Sequence, residues 1–419
     1  MEQRDSLHFK QNASQLDVTI VMPCLNEIQS LEHCIGNARA ALDRIEEIHG
    51  LTGEIVIADN GSTDGSQFLA TNLGARVVNV SRKGYGAAII GGFDAAFGGY
   101  LVMGDCDGSY DFMDSVAMIG QLIEGADLCM GSRFRGGIAP GAMPWKNRYI
   151  GNPALTGILN LFFRSGIDDA HCGLRAIRKE AYARLGLVSE GMEFASEMVI
   201  KASLLEFDIR ETPVVLSPDL RDRPPHLRPW RDGWRHLRYL FMLSPTWVFG
   251  VPALGALALA TMILTGASLH QAGLLPGSGH FGDSWVIVGG FMASFAHLSL
   301  LMALATHIHG VNRGYRRLRP MLEKYGSLLT LETALLCGGC LIGLSGLGFA
   351  LTGWLWAKGG FVAMQSVLPV TLSAVAGTIG AQTILGGFLL AIIAGHKTKV
   401  VKNNPVFSAR QVTAKDLAA

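Results

Sequence analysis

Four apolar runs dominate the chain after residue 245, at roughly 247–269, 285–308, 331–356 and 367–395. Each is long enough to cross a bilayer, which takes about 20 residues of helix. A lipid core offers no water to backbone polar groups, so each run must satisfy its own by coiling. The connections set the orientation. Residues 270–284 hold no Lys or Arg, residues 309–330 hold Arg313, Arg316, Arg317, Arg319 and Lys324, residues 357–366 hold only Lys358, and the tail after 395 opens with Lys397, Lys399 and Lys402. Basic loops stay cytoplasmic, so both termini and the middle loop are expected in the cytoplasm of a multi-pass protein of a bacterial inner membrane or its equivalent. Four crossings return a chain to its starting side, which agrees with the charges. The polar residues 1–16 show no apolar leader. Small residues, as in GGCLIGLSGLGFALTG, allow close helix packing in lipid and are compatible with a homo-oligomer. His297, His307 and His309 fall in or beside the second run, where ionisable groups are costly.

The composition follows this division. Of 419 residues 49% are hydrophobic, and the excess sits in the four runs, whereas residues 1–245 are mixed and charged. Lys+Arg total 35 against 34 Asp+Glu, which argues against nucleic acid as a partner. Seven scattered cysteines cannot all pair and fit a reducing compartment.

The first half alternates strand and helix patterns. Val18–Met22, Ile55–Ala58, Arg76–Val80, Tyr100–Met103 and a run near 126–130 read as strands. Glu27 to about Leu42, a segment opening at Asp64 as N-cap, Tyr85–Phe97 and a segment near 112–124 read as helices. This order predicts an α/β fold with a largely parallel sheet covered on both faces. Such sheets bind ligands beyond the carboxyl ends of their strands, where Glu27, Asp59, Asp105 and Asp107 fall. A plain dinucleotide fold is excluded, because Pro23-Cys24-Leu25-Asn26-Glu27 lacks the Gly-rich turn.

Asp105-Cys106-Asp107 closes an apolar strand, and carboxylates two residues apart on a turn can grip one divalent cation. Mg²⁺ takes few carboxylates and completes its shell with phosphate oxygens, which suits a reaction that expels a diphosphate. The run Asp59-Asn60-Gly61-Ser62-Thr63-Asp64-Gly65-Ser66 joins a strand to a helix, and Asp59 could accept hydrogen bonds from a base or ribose.

VTIVMPCLNE, IVIADNGSTDGS, RKGYGAA, MGDCDGSYDF, GSRF and DDAHCGLRAI occur in one order at consistent spacing. Together they resemble family 2 glycosyltransferases of the GT-A fold, nearest the dolichyl/undecaprenyl-phosphate mannosyl- and glucosyltransferase branch. The resemblance covers about residues 17–245. It implies a Rossmann-like GT-A catalytic domain over 17–218, an interfacial segment over 219–245, a four-helix transmembrane domain over 246–396 and a tail over 397–419. It implies an inverting enzyme that moves a hexose from a UDP- or GDP-sugar, UDP-glucose first and GDP-mannose as the alternative, to a polyprenyl phosphate at the cytoplasmic face of the membrane. By the same resemblance, Pro23, Asn26, Glu27, Asp59, Arg82, Lys83, Gly84, Gly86 and Asp105 line the nucleotide-sugar pocket. Asp105 and Asp107 hold Mg²⁺ or Mn²⁺, with Ser109 where a branch carries a further Gln contact. Asp169, Asp107 and Arg133 are the catalytic candidates, Asp169 as orienter or base of the acceptor, unless it holds Arg175. Arg133, Arg135 and Arg175 face phosphate.

In RDRPPHLRPWRDGWRHLRYLFML, Leu227, Trp230, Trp234, Leu237 and Phe241 share one helix face beside Arg228, Arg231, Arg235 and Arg238. A basic helix with tryptophans just before a span should lie in the interface, and Arg228 and Arg231 could receive a lipid phosphate. Glu193 and Glu197, one turn apart, could face the site. Among rivals, a processive polysaccharide synthase would carry Q-x-x-R-W, which is absent, and a nucleotidyltransferase would need a Gly-rich first loop. A transporter or flippase with a nucleotide-binding domain is the alternative outside enzymes.

Overall fold

The computed structural model describes residues 16–221, 229–274, 282–364 and 366–395. The two tails (residues 1–15 and 396–419), Leu227 and Arg228 lie outside the described residues. Internal contacts divide the chain into two units, Met1–Ser244 and Pro245–Ala419.

The first unit is built on one eight-stranded sheet: β1 (Val18–Cys24), β2 (Gly53–Asp59), β3 (Arg76–Asn79), β4 (Tyr100–Met103), β5 (Leu128–Ser132), β6 (Gly137–Ile138), β7 (Arg175–Arg178) and β8 (Ile209–Leu216), in the spatial order β3-β2-β1-β4-β7-β5-β8-β6. Only β7 runs against its neighbours, β4 and β5, so the sheet is mostly parallel, as the alternation of elements predicted. Side chains alternate across it. Ile20, Met22, Ile55, Ile57 and Val102 enter one core layer, and Val21, Val56, Ala58, Leu101 and Met103 the other. With both faces buried, the strands read as continuous apolar runs.

Helix α1 (Ile28–His49) covers the first face through Leu31, Ile35, Ala38, Leu42 and Ile45. It runs past the expected end near Leu42 because Ile45 continues the buried stripe, and it stops at Gly50 in the left-handed region. The following helices are α2 (Ser66–Asn72), α3 (Tyr85–Ala95), α4 (Asp114–Ile123), α5 (Asn152–Phe163), α6 (Lys179–Leu185), α7 (Phe194–Leu204) and α8 (Pro229–Met242). Asp64 is not the N-cap of α2; Gly65 is. The Asp64 carboxylate instead accepts from the Ser66 amide at 3.0 Å and reaches back to the Ile28 amide at 3.1 Å.

Helix α8 packs on the second core layer through buried His236 and Leu240, with Leu237 and Tyr239 half-buried beside them. Phe241 meets Phe162 at 5.5 Å between ring centroids, and Trp234 is 62% exposed. The stripe read as a single lipid-facing surface is therefore divided between core and outside.

The second unit holds four helices long and apolar enough to cross a membrane: Thr246–Gln271, Asp283–Asn312, Leu331–Lys358 and Leu368–Ile393. The third and fourth approach closely at Gly338 and Gly380, where a Cβ on either would lie 2.7 Å from the other's carbonyl oxygen. The second and fourth are tied by His297, whose Nδ1 lies 2.9 Å from Gln382 Oε1 and whose Nε2 lies 3.2 Å from Thr383 Oγ1. This polar clamp absorbs the intramembrane histidine.

Candidate active site

The register aligns Cys24 with Asp59, Asp59 with Asn79 and Val21 with Met103. The chain therefore leaves β1, β2 and β4 at one edge of the sheet. Because β7 is reversed, Arg175 at its start pairs with Met103 and Met130 and reaches the same edge, with the Asp168–Leu174 loop before it.

The loop after β1 is stitched to the loop after β2. Asn26, at φ 59°, takes the Thr63 amide on its Oδ1 at 2.8 Å, and its own amide donates to Ser62 Oγ at 2.9 Å. The Glu27 amide donates to Ser66 Oγ at 3.1 Å. Asp59, buried at the end of β2, accepts from the Gly61 amide at 2.9 Å, the Ser62 amide at 3.1 Å and Gln67 Nε2 at 2.6 Å. Burial alone would raise its pKa, but the donors from Ser62, Gly61 and Gln67 prevail and hold it below the usual range. Asn60 extends the network: its Nδ2 donates to the carbonyls of Val80 and Arg82, its Oδ1 accepts from the Gly84 amide at 2.8 Å, and its carbonyl takes Lys83 Nζ at 2.6 Å. Asn26, Glu27, Asp59, Lys83 and Gly84 thus share one connected rim, and Pro23 lies just before it in β1.

The Arg82–Gly86 segment is pressed against the loop at 189–191. Gly84 has φ 133°, and a Cβ there would collide with the Glu190 carbonyl; one on Gly86 would collide with that of Ser189. Both must be glycine for this approach. Buried Glu197 fixes the opposing loop, accepting from the Val188 and Ser189 amides and pairing with Lys201 at 2.6 Å. It does not face a ligand. Its neighbour Glu193 has a buried Oε2 with no hydrogen-bond partner among the described residues.

After β4, Asp107 Oδ1 takes the hydroxyl and amide of Ser109 at 2.6 and 3.0 Å, so Ser109 orients the carboxylate. Asp107 Oδ2 meets Arg221 Nη2 at 2.8 Å, and the same guanidinium reaches Asp219 at 2.9 Å and Glu27 at 3.3 Å. Burial pushes the Asp105 carboxyl up to about 7. The Asp107 charge adds to the rise, while the Tyr85 hydroxyl, Arg221 and Arg133 oppose it. Arg221 was missed by sequence reasoning: it lies 114 residues from Asp107 and 194 from Glu27, and no local spacing links them. Its place just after β8 was the available signal.

A cation fits this cluster. The carboxylates of Glu27, Asp107 and Asp219 already converge on a positive group, the Arg221 guanidinium, and Asp105 lies within its field. No trio of His, Cys, Asp or Glu among the described residues is placed to hold a metal, so the chain would offer the Asp105–Asp107 pair and leave the remaining positions to diphosphate oxygens and water.

Arg133 and Asp169 form a buried two-pronged pair, Nε to Oδ2 at 2.6 Å and Nη2 to Oδ1 at 2.7 Å, and the Arg133 amide adds 3.1 Å to Oδ2. Both oxygens of Asp169 are thereby engaged, and its guanidinium partner is Arg133 rather than Arg175. Arg175 is buried and donates to the carbonyls of Cys172, Ala195 and Ala170 at 2.9, 2.8 and 3.0 Å, pinning the loop before β7. Arg135 is largely exposed and pairs with Asp168 at 2.6 Å and Glu211 at 3.0 Å. Arg231 is exposed on α8. Beside Asp169, the half-buried His171 imidazole packs edge-on against His236 at 4.9 Å. Burial drives its pKa well down, and His236, Arg133 and Arg175 reinforce this.

Comparison with known proteins matches residues 19–186 to Glycosyl transferase family 2 and residues 304–394 to the Glycosyltransferase family 2 C-terminal transmembrane region. The low-salt glycan biosynthesis hexosyltransferase Agl6 of Haloferax volcanii is 34% identical over 377 residues, 89% of this chain and 88% of that one. The dolichyl-phosphate hexose transferase of the same organism is 29% identical over 47% of this chain and 82% of its own length. The polyprenol monophosphomannose synthase of Mycolicibacterium smegmatis is 28% identical over 47% of this chain and 76% of its own length. The four apolar helices and the matched transmembrane region make this an integral membrane protein. With a relative aligned along most of both chains and both family regions in order, the chain belongs to glycosyltransferase family 2.

Proposed function

We propose that this glycosyltransferase transfers a hexose, glucose from UDP-glucose, to a polyprenyl phosphate with inversion at the anomeric carbon. The observation that carries the reading is the convergence of Glu27, Asp107 and Asp219 on one positive group at the carboxyl ends of β1, β4 and β8, with Asp105 beside it. The names of the relatives, a dolichyl-phosphate hexose transferase and a polyprenol monophosphomannose synthase, support the lipid acceptor. The second name keeps GDP-mannose as the alternative donor.

In this reading a phosphate oxygen of the acceptor attacks the anomeric carbon, a C–O bond forms, and the bond to the diphosphate oxygen breaks. The second pKa of a phosphomonoester is about 6, so the acceptor is mostly dianionic at neutral pH and needs no strong base. This agrees with an Asp169 whose oxygens are engaged. Asp169 instead presents Arg133 as a fixed guanidinium, which offsets the repulsion between acceptor and diphosphate. The loops stitched through Asn26, Asp59, Asn60 and Gly84 hold the nucleotide half of the donor. Mg²⁺ or Mn²⁺, held by Asp105 and Asp107, would neutralise charge on the departing diphosphate. Arg221 balances the carboxylates until then. This reading puts both termini and the 309–330 loop on the cytoplasmic side, as the basic residues of that loop and of the C-terminal tail favour, where nucleotide-sugars are made.

Purified protein, a panel of nucleotide-sugars and a short-chain polyprenyl phosphate test the reading. Glycolipid should form from UDP-glucose, and its rate should fall as pH drops below about 6, where the acceptor becomes a monoanion. Absence of any glycolipid across the panel would refute it.

A further inference from the structure

A second cluster of basic groups closes the second span and plays no part in the proposed transfer. His307 lies in the last turns of Asp283–Asn312, is 6% exposed, and its Nε2 is buried with no hydrogen-bond partner among the described residues. The chain then reverses at Gly314, φ 79°. Gly310 has no side chain, so the Tyr315 ring packs where its Cβ would be, 3.0 Å away. That contact folds the loop back on the helix and carries Arg316 into a buried position, 7% exposed. Among the described residues, the charges of Arg316 and Arg319 act on His307, and that of Arg319 acts on Arg316. Arg319 is itself located, with Nη2 2.6 Å from Thr246 Oγ1 at the start of the first span.

A buried imidazole nitrogen with no partner among the described residues, beside two guanidinium groups, favours an anionic acceptor in that space. An apolar helix of this length ends at the headgroup level of a bilayer, and basic pockets between spans at that level take lipid phosphates. We propose that the end of the second span holds the phosphate headgroup of a membrane lipid. Arg316 and Arg319 supply the charge and His307 Nε2 a hydrogen bond. The site is formed entirely by residues of the second unit and shares none with the candidate active site. Two lipids carry the required chemistry, the polyprenyl phosphate acceptor and a bulk anionic phospholipid.

The full chain in neutral detergent is titrated with phosphatidylglycerol, polyprenyl phosphate, uncharged polyprenol and inorganic phosphate, and retention is read by native mass spectrometry. Phosphatidylglycerol is the first probe, since it is no sugar acceptor. Wild type should retain it and not the polyprenol. Arg319→Gln and His307→Ala should each weaken retention roughly fivefold, while Lys358→Gln, the same charge change at the far end of the third span, should not. Arg316→Gln should do the same if it folds; exposed Arg319 keeps the test valid if it does not. Displacement of phosphatidylglycerol by polyprenyl phosphate at lower concentration would uphold the site and name the acceptor as its occupant, and equal competition would uphold it as an anionic phospholipid site. Equal retention by wild type, Arg319→Gln and His307→Ala, or displacement by inorganic phosphate as readily as by lipid, would overturn it. An Asp107→Ala chain, in which the proposed transfer should be greatly slowed, should retain phosphatidylglycerol as wild type does, so failure of the transfer reading leaves this measurement intact.

Discussion

Asp107 is held on one oxygen by Ser109 and on the other by Arg221, so its carboxylate is oriented before any donor arrives. Asp107→Ala should lower transfer by roughly 10²–10³-fold with an unchanged unfolding temperature, because the residue supports no core contact; wild-type activity would remove the cation assignment. Arg221→Ala takes away the resident positive group. Binding of Mn²⁺ without nucleotide, followed by electron paramagnetic resonance, should tighten several-fold, and weaker binding would show that Arg221 helps assemble the site rather than guard its charge. The Arg133–Asp169 pair makes a different prediction. Asp169→Ala strands a buried guanidinium and should destabilise the protein by about 3–5 kcal/mol. Arg133→Met combined with Asp169→Leu should recover most of that stability and none of the activity, as read by thermal unfolding alongside glycolipid formation. Ser109 apart, none of these partners could be seen in local sequence. Aspartates at strand ends were legible, but Asp169 choosing Arg133 over Arg175 depends on the antiparallel insertion of β7.

At the scale of elements, the approach of the Arg82–Gly86 segment to the loop at 189–191 and the docking of α8 are the features most open to test. Gly86→Ala should cost about 1–3 kcal/mol and weaken nucleotide-sugar binding together, since the added methyl meets backbone that cannot give way. In α8 the two faces separate. Leu240→Ala should cost about 2–5 kcal/mol, whereas Trp234→Ala, on the open side, should leave stability unchanged and reduce binding to anionic vesicles if the helix lies at the interface. The helical period of this segment was plain in the sequence. Which side turned to the core was not, because His236 and Leu240 are buried by α5 and α7, elements far away along the chain.

At the scale of the whole molecule, orientation and its charge pattern can be checked directly. Lys324→Cys should react with an impermeant thiol reagent only from the cytoplasmic side and Lys358→Cys only from the opposite side, each in a cysteine-free background; the reverse pattern would invert the proposed topology. What the sequence by itself determined here is what short-range periodicity and bulk composition can encode. Four spans, a mostly parallel α/β sheet, and acids at strand ends follow from apolar runs, alternation and punctuation, all read within a window of one element. Tertiary structure decided the pairings: Arg221 with Glu27 and Asp107, Arg133 with Asp169, Arg175 with backbone carbonyls, and His297 with Gln382 and Thr383. A long cationic side chain carries no mark of its partner. Its choice is set by which loops the strand order 3-2-1-4-7-5-8-6 brings to one edge, and by the cost of burying a charge without a counter-charge or hydrogen bonds.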